Sequence, residues 1–320
     1  MQRAKRFLVA IFSLAVLFSC KSQESSTTQA TRPVIGVSLL TLTNPFFKEL
    51  GHAVQEEAEK HGYDVILVAG EFDPAKQQNQ ISDFIVKKVS AILLCPTDSK
   101  AIGAALAKAN QVGIPVFTAD IACTAEGVKI ISHVATDNYK AGRLAAQALL
   151  EALNSAGQVG IIDHPEVESV LMRTKGFEDE LQEQRLTNNV KLEVVAKLPG
   201  LGSKDQSFKS AEDMLQAHQN LDGIFAINDP SALGAVAAIE KAGKQGKIKI
   251  VAIDGQPEGR QAIKEGKIYA DVIQHPEEIG KKAAQAIVKY MNGEHVEPQI
   301  LIETNIYRQA DALNDPTLRQ

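Results

Sequence analysis

From Val34 onward the chain alternates short apolar runs with amphipathic stretches, and that rhythm admits few folds. Val34 to Leu40 is almost continuously apolar, as parallel strands covered on both faces are. Pro45 to His61 has helical spacing, with proline in the first turn and Gly62 as a stop. The same alternation predicts strands over 64–69, 90–95, 115–119 and 130–136, and helices over 74–87, 101–111 and 139–154. The pattern then restarts. Strands are expected over 158–163, 190–197, 223–228, 247–253, 268–274 and around 300–303, with helices ending at 184, 218, 242 and 265 and a last one over 277–292. Strands and helices alternating through short connections build parallel sheets with helices on both faces. There are too many strands for one comfortable open sheet. The expected class is therefore α/β, with two Rossmann-like doubly wound parallel-sheet lobes.

The chain has 320 residues, and its first 20 have a different character. Arg3, Lys5 and Arg6 form a basic start, and Phe7 to Phe18 is apolar apart from Ser13. That run is shorter than the roughly 20 residues needed to span a bilayer. Leu17-Phe18-Ser19-Cys20 resembles a bacterial lipobox, in which Cys20 would be acylated and become the first mature residue. Plain peptidase cleavage without a lipid is the other reading. The Ser/Thr/Gln stretch that follows, through residue 32, reads as a flexible tether. The expected location is the periplasm or cell envelope, as a membrane-anchored lipoprotein. Removing residues 1–19 leaves 31 basic against 39 acidic residues, a net charge of −8, which argues against a nucleic-acid partner. Aromatic residues are few and tryptophan is absent, so a long polysaccharide platform is not expected. After Cys20 only Cys95 and Cys123 remain, either paired in an oxidising compartment or separate as small hydrophobes.

In doubly wound sheets, ligands bind beyond the carboxyl ends of the strands. The polar residues at those places are Asn44, Cys95, Asp120, Asp137, Asp163, Asn228, Asp254 and Gln274. Each Asn or Asp alone could be a helix N-cap. Together they are planar groups that can each satisfy two neighbouring hydroxyls, and they recur in both halves of the chain. Phe46 and Phe47 add aromatic faces beside Asn44, where the C–H face of a sugar could stack. Stacking and several hydrogen bonds are what a small polyol needs when stripped of water. His164 and His275 each precede a proline that opens a helix, and both are read as loop geometry.

At these residues the chain resembles a known family. Thr43-Asn44-Pro45-Phe46-Phe47, Pro96-Thr97-Asp98, Ala135-Thr136-Asp137-Asn138, Arg173 with Gly176-Phe177, Asn228-Asp229, Ile253-Asp254-Gly255 and Gln274 occur in order over Val34 to Tyr307. The set is similar to periplasmic ribose-binding protein type sugar-binding proteins, the solute-binding proteins of ABC transporters with the type 1 periplasmic binding fold. The resemblance implies two lobes joined by three chain crossings, with one monosaccharide in the cleft. The lobes would comprise residues 33–136 plus 275–301 and residues 137–274 plus 302–320. By position, Asn44, Phe46, Phe47 and Asp120 would meet the sugar from the first lobe. Arg173, Asn228, Asp254 and Gln274 would close from the second lobe and hinge, and Cys95, Ile121 and Asp137 complete the expected set. Three places depart from the ribose pattern. Ile121 stands where an arginine is expected, Cys95 stands where an asparagine is expected, and Pro199 to Gly202 supplies no stacking aromatic. Fewer donors imply a ligand with fewer or differently placed hydroxyls.

Gly200-Leu201-Gly202-Ser203-Lys204 lacks phosphate-loop spacing, and Gly243 to Lys247 ends in Ile248 where a Ser or Thr should hold magnesium. No metalloprotease, nucleophile-elbow or Cys-x-x-Cys motif occurs. The expectation is a binding protein that is not an enzyme and has no cofactor or metal. It would be a monomer that captures a monosaccharide or polyol, anchors to the membrane through lipid on Cys20, and delivers its cargo to an ABC import permease. A receptor feeding a chemotaxis or histidine-kinase sensor is the alternative on the same scaffold.

Overall fold

The computed structural model describes residues 32–318. Cys20, the rest of the expected signal segment, and tether residues 21–31 lie outside the described residues. The first half of the chain runs β1 (Val34–Leu39), α1 (Pro45–Lys60), β2 (Asp64–Ala69), α2 (Pro74–Val86), β3 (Ala91–Leu94), α3 (Gly103–Gln111), β4 (Val116–Ala119) and β5 (His133–Thr136). The second half continues with α4 (Asn138–Ala152), β6 (Ala156–Asp163), α5 (Glu168–Asn188), β7 (Lys191–Pro199), α6 (Lys204–Ala217), β8 (Leu221–Ala226), α7 (Asp229–Lys241), β9 (Lys249–Asp254), α8 (Pro257–Lys264) and β10 (Ala270–Ile273). It closes with α9 (Pro276–Met291), β11 (Gln299–Ile302), β12 (Asn305–Arg308) and α10 (Gln309–Leu313).

These strands form two six-stranded sheets, ordered β11-β5-β4-β3-β1-β2 and β12-β10-β9-β8-β6-β7. The chain passes between them three times, at Asp137, at Gln274–His275, and at Glu303–Thr304. Thr304 Oγ1 donates to the Ile273 carbonyl at 2.6 Å, tying two of the crossings together. Every strand pairing is parallel except one: β12 runs antiparallel to β10, with Ala270 opposite Arg308. The two sheets are the doubly wound parallel ones expected, with β12 added at one edge as a strand the sequence pattern does not announce. The chain re-enters the second lobe at the carboxyl ends of its parallel strands, so the four-residue β12 pairs directly with β10 in the opposite sense.

Apolar side chains fill both faces of each sheet. In the first lobe Ile81, Phe84 and Leu94 are buried under α2 and α3, and Leu39, Leu50 and Ile279 under α1 and α9. In the second lobe Leu149, Phe177 and Leu181 pack beneath α4 and α5, opposite Met214, Ile239 and Ile250. One close approach sets the binding geometry. A Cβ on Gly142 of α4 would lie 1.9 Å from the Arg173 carbonyl, and one on Gly176 of α5 would lie 2.1 Å from that of Tyr139. The two glycines let the helices touch backbone to backbone, which carries the Arg173 side chain to the interlobe face. Among the described residues no helix is long and apolar enough to cross a membrane.

Candidate ligand-binding cleft

The loops at the carboxyl ends of the strands in both sheets meet around one small cavity of about 40 Å³. From the first lobe come Asn44, Phe46, Phe47, Asp120 and Ile121; from the second come Arg173, Asn228 and Asp254, with Gln274 at a crossing.

Each polar group is held by a local cap or turn. Asn44 caps α1, its Oδ1 accepting from the Phe46 amide at 3.0 Å, and its side chain faces Asp254 across the cleft and lowers that acid's proton affinity. Asn228 caps α7 through the Ser231 amide at 2.9 Å, and its Nδ2 donates to the Gly202 carbonyl at 3.3 Å. The cap and the binding readings of these residues are therefore compatible. Phe46 and Phe47 stand edge to face, with centroids 5.1 Å apart at 85°. Such packing fixes both rings as one aromatic wall.

Arg173 is buried, with Nε donating to Asn138 Oδ1 and Nη1 to the Ile227 carbonyl, both at 2.7 Å. Its Nη1 also lies 3.7 Å from Asp254 Oδ1. Gln274 Nε2 donates to the same Asp254 oxygen at 2.7 Å. Asp254 and Asp120 both adopt positive φ, 141° and 60°. Burial pushes Asp120 up to about 7, against the pull of Arg173 and with the nearby Asp254 and Glu168 charges adding to the rise. Burial likewise raises Asp254, offset by Arg173, Gln274 and Asn44. Asp120 Oδ1 and Gln274 Oε1 are buried acceptors without a protein partner. A guest that donates hydroxyl hydrogens is what those two atoms lack.

The lobes touch at the mouth of this cavity. The Ser99 amide donates to the Glu166 carbonyl at 3.0 Å, and the Glu168 amide donates to Ser99 Oγ at 2.9 Å. The Glu168 carboxylate in turn accepts from the Ala122 amide. The arrangement is a closed one.

Two expected residues do not line the cavity. Cys95 is fully buried on the same face of β3 as Ala91 and Leu93, in the core shared with α1 and α9. Its carbonyl accepts from Gln77 Nε2 at 3.0 Å. Asp137 caps α4, accepting from the Lys140 amide at 3.0 Å. Asp163, also at a strand end, is occupied by the His164 amide and by Thr174 Oγ1. Cys95 and Cys123 are unpaired thiols.

Other residues join the wall without having been expected. His164 lines it, contrary to the loop-geometry reading, and burial lowers its proton affinity. Phe72, at φ 61° in the loop before α2, adds a ring from the first lobe. From the loop of Pro199–Gly202, which supplies no aromatic, Gly202 lines the wall. Phe208 instead packs on the outer surface beneath Lys241, 5.3 Å from its ring centroid. Their place directly after a strand marked Asn44 and Asn228. Nothing comparable marked Phe72, because its place depends on how β2 and α2 turn. Among the described residues no group of three or more His, Cys, Asp or Glu side chains could hold a metal ion.

The periplasmic binding protein domain matches residues 35–295. The ribose import binding protein RbsB of Bacillus subtilis (strain 168) is 34% identical over 300 residues, covering 92% of this chain and 95% of its own length. A D-apiose import binding protein of Paraburkholderia graminis is 30% identical, over 91% of this chain and 90% of its own. An ABC transporter periplasmic solute-binding protein from Actinobacillus succinogenes, solved with bound D-allose, superposes with a TM-score of 0.80 at 28% identity. That superposition covers 89% of this chain and all of the other.

Proposed function

The chain belongs to the periplasmic binding protein family, and we propose that it captures one neutral monosaccharide or polyol between its lobes for an ABC importer. The observation that carries this reading is the shared cavity, walled by both lobes and holding two buried acceptors, Asp120 Oδ1 and Gln274 Oε1, that lack partners. Hydroxyl groups of a sugar supply the missing donors, and the Phe46–Phe47 wall takes its C–H face. Arg173 keeps one guanidinium edge for the guest after anchoring to Asn138 and Ile227. Because Asp120, Asp254 and Glu168 surround that one cation, a carboxylated or phosphorylated sugar meets like charge and is disfavoured.

Binding is a selection of the closed form. A ligand shifts the equilibrium between open and closed lobes only through contacts it makes better in one of them. Here those contacts come from both lobes and exist together only when the cleft is shut. The closed surface is then what a membrane permease would recognise. The basic start at Arg3, Lys5 and Arg6, the apolar run and Cys20 support lipid anchoring outside the cytoplasm. The relatives' named cargoes support a sugar.

A thermal-shift screen with D-ribose, D-apiose, D-allose and D-glucuronate tests the reading. Ligand that binds only native protein raises the melting temperature. A rise with at least one neutral sugar and none with glucuronate is expected. Glucuronate stabilising the protein while no neutral sugar does would overturn the reading.

A further inference from the structure

Asp254 sits on a strained stretch of backbone, and what holds it there lies beneath the cleft. Its φ of 141° is one that L-residues rarely adopt, and such a conformation persists only where the surroundings over-determine it. Three groups grip the two residues that follow. The Gly255 amide donates to Asp271 Oδ2 at 3.1 Å, the Gln256 amide donates to Asp229 Oδ2 at 2.6 Å, and Arg260 Nε donates to the Gly255 carbonyl at 2.6 Å. None of Asp229, Asp271 and Arg260 lines the cavity.

Asp229 and Asp271 are both buried and accept from adjacent amides, Gln256 and Gly255, which sets their carboxyl groups side by side. Two carboxylates cannot bond without a proton between them. Each accepts from one backbone amide through Oδ2, and both Oδ1 atoms are buried without a hydrogen-bond partner. One proton shared by the pair supplies what those two oxygens lack. The space is tight: a Cβ on Gly259 of α8 would lie 2.1 Å from Asp229 Oδ1.

We propose that Asp229 and Asp271 are positioning residues which, by sharing a proton, hold the Asp254 loop in the form that meets the sugar. The inference rests on the sugar-binding reading of the cleft. Burial and the Asp271 charge raise Asp229 well above the usual carboxylate range, and burial with the Asp254 charge raises Asp271 to about 7. Other charged groups face the pair from every side. Arg260 comes from α8, with its guanidinium 5.3 Å from the Tyr307 ring centroid and 3.5 Å from Asp315. Tyr307 stands opposite Asp271 across β10 and β12. From α1, the Glu49 carboxylate hydrogen-bonds the Gln256 side chain.

The folded protein keeps a proton that the unfolded chain releases above the ordinary aspartate range. Stability drawn from the pair is therefore fully present below the ordinary aspartate value of 3.8 and lost as pH rises toward about 7.

The test compares wild type, Asp229→Asn and Asp229→Ala. Asn places an amide N–H where the shared proton would be; Ala removes the group. Calorimetry with D-ribose, D-apiose and D-allose gives Kd. Carboxyl ¹³C NMR of aspartate-labelled, sugar-free protein reads the proton, and amide exchange at Gly255 and Gln256 reads the loop. D229N is expected to bind within about threefold of wild type, and D229A about tenfold or more weakly. With Asp120→Asn as a common background, so that Asp120 gives no signal, a protonated aspartate at pH 7 is expected with Asp229 and absent with D229N, and Gly255 and Gln256 exchange faster in D229A. The melting temperature of D229N is expected to fall less than that of wild type between about pH 4 and 7. D229N as weak as D229A, unaltered affinity and amide protection in D229A, or every aspartate ionised at pH 7 in the Asp120→Asn background with Asp229 present would overturn the proposal. If D229A does not fold, the carboxyl signal in that background and the affinity of D229N decide. If wild type binds no sugar, the sugar reading falls separately, while the NMR and exchange measurements still decide the pair.

Discussion

Asp120 and Asp254 occupy equivalent places in the two lobes, yet they are built differently. Each lies at the end of a parallel strand, each is buried, and each has positive φ. Asp254 is surrounded: Arg173, Gln274 and Asn44 reach its carboxylate, and Asp229, Asp271 and Arg260 hold the loop behind it. Asp120 has one oxygen with no partner and an aliphatic neighbour, Ile121, in place of a cation. One acid is pre-organised by the protein; the other is left for the guest to complete. A cleft built this way places its fixed reference in the second lobe and its ligand-dependent contact in the first. Closing an empty cleft leaves Asp120 unsatisfied, which costs roughly 1–3 kcal/mol for a neutral acceptor and more for a charge.

The comparison breaks most sharply at Asp254. Asp254→Ala removes the reference, and calorimetry should show affinity for the bound sugar falling by at least about thirtyfold, the low end of roughly 2–5 kcal/mol for a buried charged contact. Unchanged affinity would remove Asp254 from the site. The next largest effect concerns Asp120. Its proton affinity is raised in the closed form, so ligand-free closure should be favoured at acidic pH and lost as pH rises through about 7. The ratio of closed to open protein, followed by single-molecule energy transfer, should change by up to about tenfold per pH unit between roughly 4 and 7. Asp120→Asn should abolish that dependence; a variant that keeps it places the titration elsewhere.

Ile121→Arg sharpens the contrast by giving Asp120 the cation it lacks. D-ribose should bind about tenfold more tightly than to wild type, the worth of one charge-assisted contact. If ribose affinity stays level while another sugar still binds, Ile121 does not occupy the specificity position. The smallest effect is at the mouth. Ser99→Ala deletes the hydroxyl that accepts from Glu168, one hydrogen bond of about 0.5–1.5 kcal/mol. It should raise Kd a few-fold through faster release, read by stopped-flow fluorescence of a labelled cleft. An altered association rate with normal release would assign Ser99 another role.

The two acids were legible in the sequence for the same reason that several strands were. A planar polar residue directly after a buried apolar run marks the carboxyl end of a parallel strand, where such sheets bind ligands. That rule found Asn44, Asp120, Asn228, Asp254 and Gln274. It also selected Cys95 and Asp137, because order along the chain does not say which way a side chain points. Cys95 continues the inward face of β3, and Asp137 turns back to cap α4. The rule overlooked Phe72 and Asn138, whose roles come from packing between elements distant in sequence. β12 was missed because Asn305–Arg308 is short and partly exposed, and therefore carries little periodic signal. Helix α5 runs a turn past its expected end at residue 184. Polar side chains bond back along its last turn, as Thr187 Oγ1 does to the Glu183 carbonyl at 2.8 Å, and Asn189 then takes φ 52° as the cap.

The most direct test is a crystal structure of the protein with whichever of D-ribose, D-apiose and D-allose raises its melting temperature most. The expected result is one sugar between the lobes with hydroxyls within hydrogen-bond distance of Asp120 Oδ1 and Gln274 Oε1, its ring against Phe46 or Phe47, and Arg173 on its oxygens. A sugar bound outside the cleft, or seated within it with Asp120 still unpartnered, would contradict the division between a pre-organised acid and one completed by its guest.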